Sequence, residues 1–88
     1  QMPLAIDLPV FNENQVIVYE NPADELVVNT GNTLMASGSI FDLRGRLLLE
    51  RKAIDANQAT FNVSKTNQVL LVQITSQDGI IVTKKVIR

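Results

Sequence analysis

The sequence predicts an all-β domain in which seven short strands build an antiparallel sandwich or barrel. Three observations carry that expectation. Short apolar runs are broken by turn residues roughly every 8–12 positions. Where the runs are long enough to test, apolar side chains alternate with a period of two, and no window sustains the 3.6-residue period of a helix. The chain has 88 residues, 45% apolar and 19% charged, which is enough for one modest core and too little for a second lobe.

The elements follow in order. Residues 1–14 have no sustained period: Pro3 and Pro9 interrupt them, and Asn12, Glu13 and Asn14 close them. They read as a linker or loosely docked arm ahead of a domain over 15–88. The first strand is expected over 15–20 and stops at the turn Asn21-Pro22-Ala23-Asp24. The second covers 26–29, with Leu26 and Val28 on one face and Val27 and Asn29 on the other, and ends at Thr30-Gly31-Asn32. The third covers 38–43 and passes through Arg44-Gly45 into the fourth over 47–52. Asp55, Ala56 and Asn57 then lead to a fifth over 59–63. The sixth, over 69–75, has the clearest alternation, Leu70, Val72 and Ile74 against Leu71, Gln73 and Thr75. Gln77-Asp78-Gly79 turns the chain into a seventh over 80–87. Gly45 and Gly79 suit tight connections because glycine takes φ > 0 without Cβ strain, and turn geometry explains them better than phosphate binding does.

Composition removes whole classes of chemistry. With no Cys and no His, disulfides, thiolate nucleophiles, Cys/His zinc sites and histidine acid–base catalysis are excluded. The longest apolar runs are far shorter than the roughly 20 residues that span a bilayer, and no basic n-region precedes an apolar stretch near Gln1. Asp24 and Glu25 are adjacent and cannot converge on one substrate from a strand, so they read as a solvated turn. Asp42 offers a further carboxylate. Asp55 and Asn57 lack the spacing of a calcium loop. The serines have no His partner. Asn62-Val63-Ser64 matches a glycosylation sequon that means nothing without eukaryotic secretion. No enzyme, metal or cofactor is expected, and an interaction module is.

Charge is unevenly placed. Residues 1–43 hold six acids (Asp7, Glu13, Glu20, Asp24, Glu25, Asp42) and no base, whereas residues 44–88 hold all eight bases and three acids (Glu50, Asp55, Asp78). The final strand ends in Thr83-Lys84-Lys85-Val86-Ile87-Arg88. Lysines there can simply guard an edge strand against aggregation. They can equally form a strand end that a receptor pairs with and holds electrostatically. Nucleic acid is a poor partner, because three bases without aromatic neighbours would make few phosphate contacts.

Three segments in order resemble one family. Val18-Tyr19-Glu20-Asn21-Pro22-Ala23-Asp24-Glu25-Leu26 is similar to the "YPNP…L" opening of the C-terminal sorting domains of the type IX (Por) secretion system, with Glu20 where the family has its first Pro. Ile40-Phe41-Asp42-Leu43-Arg44-Gly45-Arg46-Leu47 is similar to its "IYDxxGRxV" hairpin. The stretch from Asp78 to Arg88 is similar to its "DGxxxTKKVIK" ending. Where the commonest subclass has a "GVYxVxI" strand this chain has Gln68-Val69-Leu70-Leu71-Val72-Gln73-Ile74, and Ser64-Lys65-Thr66-Asn67-Gln68 before it resembles the type C subclass instead.

The resemblance implies a seven-stranded immunoglobulin-like sandwich that carries no catalytic residue and no cofactor. It implies a signal that directs an N-terminal cargo from the periplasm through an outer-membrane translocon to the cell surface or medium. It also implies removal by a sortase-like peptidase, for which the 2–14 arm is the expected cleavage region. The partners would be shuttle or translocon components, the peptidase and the cargo, with no nucleic acid and no transmembrane segment. Recognition is expected at Asp78, Gly79, Lys84, Lys85, Val86 and Arg88, with Asn21, Pro22 and Gly45 as turn residues of the motifs. Leu70, Val72, Ile74, Val82 and Val86 are expected to hold the last hairpin on the core. The competing reading is an immunoglobulin-like adhesion or carbohydrate-binding module of an extracellular enzyme.

Overall fold

The computed structural model describes residues 15–64 and 67–88. The expected 1–14 arm and its cleavage region, and Lys65 and Thr66 of the subclass motif, lie outside these residues. Seven strands form: β1 (Ile17–Glu20), β2 (Leu26–Asn29), β3 (Met35–Asp42), β4 (Leu47–Ala56), β5 (Gln58–Phe61), β6 (Val69–Ser76) and β7 (Ile81–Ile87). They lie in two antiparallel sheets, β1-β2-β5 and β4-β3-β6-β7, the arrangement of an immunoglobulin-like β-sandwich.

Period-two patterning explains why these segments are strands. β3 and β6 alternate buried and half-buried positions along most of their length, and the buried set of β6 is Leu70, Val72, Ile74 and Ser76. Those three apolar residues meet Val28, Ile40, Phe61 and Val82 between the sheets, with Val16, Leu26, Met35, Ala59 and Val63 completing the core. Val86 packs on its margin, so the five residues expected to anchor the last hairpin do so. Position 38 on the core face of β3 requires glycine, because a methyl there would fall 2.6 Å from Phe61 Cζ. The ring fills the space glycine leaves.

Two boundaries differ from the sequence reading by three residues or more, and the others by two at most. β3 begins at Met35 rather than 38, and β4 runs to Ala56, through the polar stretch expected to be loop. Between Ser37↔Lys52 and Met35↔Ala56 the register slips, and Ala53 (φ 54) and Asp55 (φ 52) take left-handed conformations there. A bulge therefore carries β4 past a point where its side-chain pattern stops alternating.

Candidate functional site

Three connections share one design. In the turns over 21–25, 42–46 and 76–80, the first residue donates its N–H to the carbonyl of the fifth, and the fourth donates back to the carbonyl of the first. The fourth residue has positive φ each time: Asp24 (63), Gly45 (85) and Gly79 (86). This is a three-residue hairpin loop, a type I turn closed by a left-handed residue. In each, the first side chain reaches forward to the N–H of the fifth: Asn21 Oδ1 to Glu25 (2.9 Å), Asp42 Oδ1 to Arg46 (2.9 Å), Ser76 Oγ to Ile80 (3.1 Å). Asn21, Pro22 and Gly45 are therefore turn-forming residues, and Asp24 and Glu25 belong to the turn they were expected to form.

Asp42 is the most heavily engaged of these. Its Oδ1 also accepts from the Arg44 N–H at 2.9 Å, and its Oδ2 from Arg46 Nε at 3.1 Å. The Arg46 amide leads in holding this carboxyl below its ordinary range; burial opposes it, and the Arg44 amide and Arg46 guanidinium assist. At the opposite end of the sandwich, Asp55 accepts from Gln77 Nε2, while the Asn57 side chain donates to the Gly31 carbonyl. Asp55 thus ties the end of β4 to the 76–80 turn, and Asn57 ties the β4–β5 link to the loop after β2.

β7 separates the residues expected to act jointly. Lys84 pairs with Val72 and shares the core-side face with Val82 and Val86, whereas Lys85 pairs with Leu71 and faces outward. Lys84 is half-buried and Lys85 exposed. Adjacent strand residues must diverge in this way, so the two lysines form no single patch. Asp78 and Gly79 lie in the turn before β7, at the other end of that strand from Arg88.

Arg88 corrects the expectation of an exposed cationic tip. Only 3% of the residue is accessible. Its Nε donates to the Val63 carbonyl at 2.9 Å, Nη1 to the Glu20 carboxylate and Nη2 to the Asp24 carbonyl. Its own N–H donates to the Gln68 carbonyl at 3.0 Å, and its carbonyl accepts from Asn67. The end of β7 is thereby fastened to the end of β1, one sheet to the other. A guanidinium is driven inward because three acceptors converge on its planar fork, so its burial leaves few donors unmet. Glu20 supplies the paired charge, with the Asp24 carboxylate 3.9 Å from the same Nη1.

Beside the 42–46 turn lies an open cleft of about 430 Å³, lined by Asp42, Leu43, Arg44, Arg46, Gln68 and Val69. A second, of about 320 Å³, is lined by Leu48, Leu49, Asn62, Val63, Ser64 and Gln68. Among the described residues, no cluster of three acidic side chains could hold a metal ion, and no helix is long and apolar enough to cross a membrane.

The family model for a domain of unknown function, DUF8694, matches residues 4–88. The chain belongs to that family. The family unit thus takes in most of the segment ahead of β1 together with the whole sandwich. No curated protein matches the chain.

Proposed function

We propose that this DUF8694 domain is a non-catalytic targeting module, a C-terminal sorting signal of the type IX kind that leads a larger cargo across the outer membrane. The observation that carries this reading is the ordered set of three motif-bearing segments, each with a physical task in one sandwich. The opening motif forms the 21–25 turn, the "IFDLRGRL" stretch forms the Asp42-capped hairpin, and the ending forms β7 with its terminal clasp. A receptor that must distinguish a finished domain from a denatured tail needs a rigid surface, and turns tied by side-chain caps supply one. Within that surface Lys85 is the outward cation of β7, and Arg88 holds the strand in place. The type C resemblance, removal by a sortase-like peptidase and surface or extracellular destination belong to the same proposal.

The decisive experiment fuses residues 1–88 to a periplasmic reporter in a type IX-competent strain. Translocon-dependent appearance of the reporter at the surface or in the medium is expected. Lys85→Glu should reduce export with the melting temperature nearly unchanged. A reporter retained in the periplasm, with the domain folded, would refute the reading.

A further inference from the structure

The outer face of the four-stranded sheet is divided across its width. Strand register places its side chains in rows running over β7, β6, β3 and β4. Nearest the 42–46 turn, Ile87 pairs with Val69, and the next row reads Lys85, Leu71, Phe41, Leu47. The two rows beyond are polar or mixed: Thr83, Gln73, Ser39, Glu50, then Ile81, Thr75, Ser37, Lys52. One half of the face is therefore apolar: Ile87 (76%), Leu43 in the adjoining turn (64%) and Leu47 (47%) are exposed at its margins, and Val69, Leu71 and Phe41 between them are half-buried.

Charge at this half-face has one sign. Lys85 stands in the apolar row, and Arg44 extends from the turn. No acid lies in either of the first two rows, and Glu50 in the third is the nearest on the face. The 430 Å³ cleft opens at the end of the patch and shares Leu43, Arg44 and Val69 with it. Inside the cleft Asp42 already holds Arg46, so Arg44 is the cation left to meet an incoming carboxylate.

We infer that this half-face docks an extended segment of a partner protein that carries apolar side chains on one side and carboxylates at its margin. Charge complementarity selects the sign: Lys85 and Arg44 flank the apolar rows, and like charge would be repelled. Size favours a segment over a folded domain, because two strand rows and one adjoining turn present far fewer residues, polar ones included, than the roughly 20–30 per side of a standard interface. An extended chain with alternating apolar residues presents them all to one side, toward the face of the sheet. The inference shares Lys85 with the sorting reading, but it rests on the register and exposure of the sheet face and names a chemistry that reading does not require.

The test uses the full 88-residue chain, labelled for two-dimensional amide NMR, and two blocked octapeptides, one alternating Leu with Glu and the other Leu with Lys. The Glu peptide is expected to shift the amides of Leu43, Arg44, Leu47, Leu71, Lys85 and Ile87. Its dissociation constant should rise about fivefold or more when salt goes from about 0.05 to about 0.5 M. The double variant Arg44→Glu/Lys85→Glu should lose at least about tenfold in affinity, with its spectrum still dispersed. Leu47→Ser, which leaves both cations in place, should also weaken binding. Equal binding of the Lys peptide would overturn the inference, as would shifts confined to the β1-β2-β5 sheet or indifference to both variants. So would binding to anionic phosphatidylglycerol vesicles but to neither peptide, or a concentration-dependent dimer that protects the same amides.

Discussion

Two arginines bridge the sheets of this sandwich, one on each flank, and they do so by different means. On the β7–β1 flank Arg88 is buried, with donors spent on Glu20 and on the carbonyls of Val63 and Asp24. On the β4–β5 flank Arg51 is exposed, donating to the Thr60 carbonyl at 2.8 Å with its guanidinium 5.8 Å from the centre of the Phe61 ring. Both join the same two layers. The difference teaches that a cross-sheet cation matters to stability in proportion to what its removal leaves unpaired, since water replaces Arg51's partners easily and Arg88's poorly.

The strongest way to break the comparison is Arg88→Met. It strands two carbonyls and a carboxylate, but Glu20 keeps 40% of its side chain accessible and can rehydrate. The expected loss is therefore about 2–4 kcal/mol, below the upper range for a fully buried pair. Denaturant unfolding measures it, and amide exchange should accelerate first at the end of β7. A loss under about 0.5 kcal/mol would place Arg88 with Arg51. Glu20→Gln should cost less, about 1 kcal/mol, because Arg88 keeps both carbonyls and one amide oxygen.

Acid sharpens the picture through a third arginine. Arg46 is exposed, but its partner Asp42 is buried and its carboxyl is held below the ordinary range. A group depressed in the folded state contributes stability that is complete above its unfolded value, near 3.9, and lost as pH falls through the lower folded value. Asp42→Ala should therefore flatten the fall of stability below about pH 4, besides loosening the 42–46 turn. Ser76→Ala, in the same type of turn, should leave that acid dependence unchanged and cost about 0.5–1 kcal/mol. The smallest effect is expected for Arg51→Met, within about 0.5 kcal/mol, since methionine can still cover Phe61 and Thr60 is partly open to water.

Much of this architecture was legible beforehand. Every expected strand formed, because alternation such as Leu70, Val72, Ile74 and breakers such as Asn21-Pro22 and Asp78-Gly79 are local signals. The overrun of β4 was hidden, because Ala53 adopts a left-handed angle that alanine does not advertise, and the Asp55 that shares it read as a turn residue. The facing of Lys84 and Lys85 could have been read from alternation alone, by the argument already applied to Asp24 and Glu25. The third cation could not. Nothing near Arg88 in the chain indicates burial, since its charged partner is 68 residues away.

What the sequence determined by itself was whatever a few neighbouring residues can settle: strand positions, turn residues and the lack of histidine or cysteine chemistry. The tertiary structure alone decided which cations face water and which close the sandwich. It also decided which apolar residues the two sheets leave uncovered. Burial is a property of distant segments brought together, and the free energy of a charge depends on that burial more than on its place in the chain.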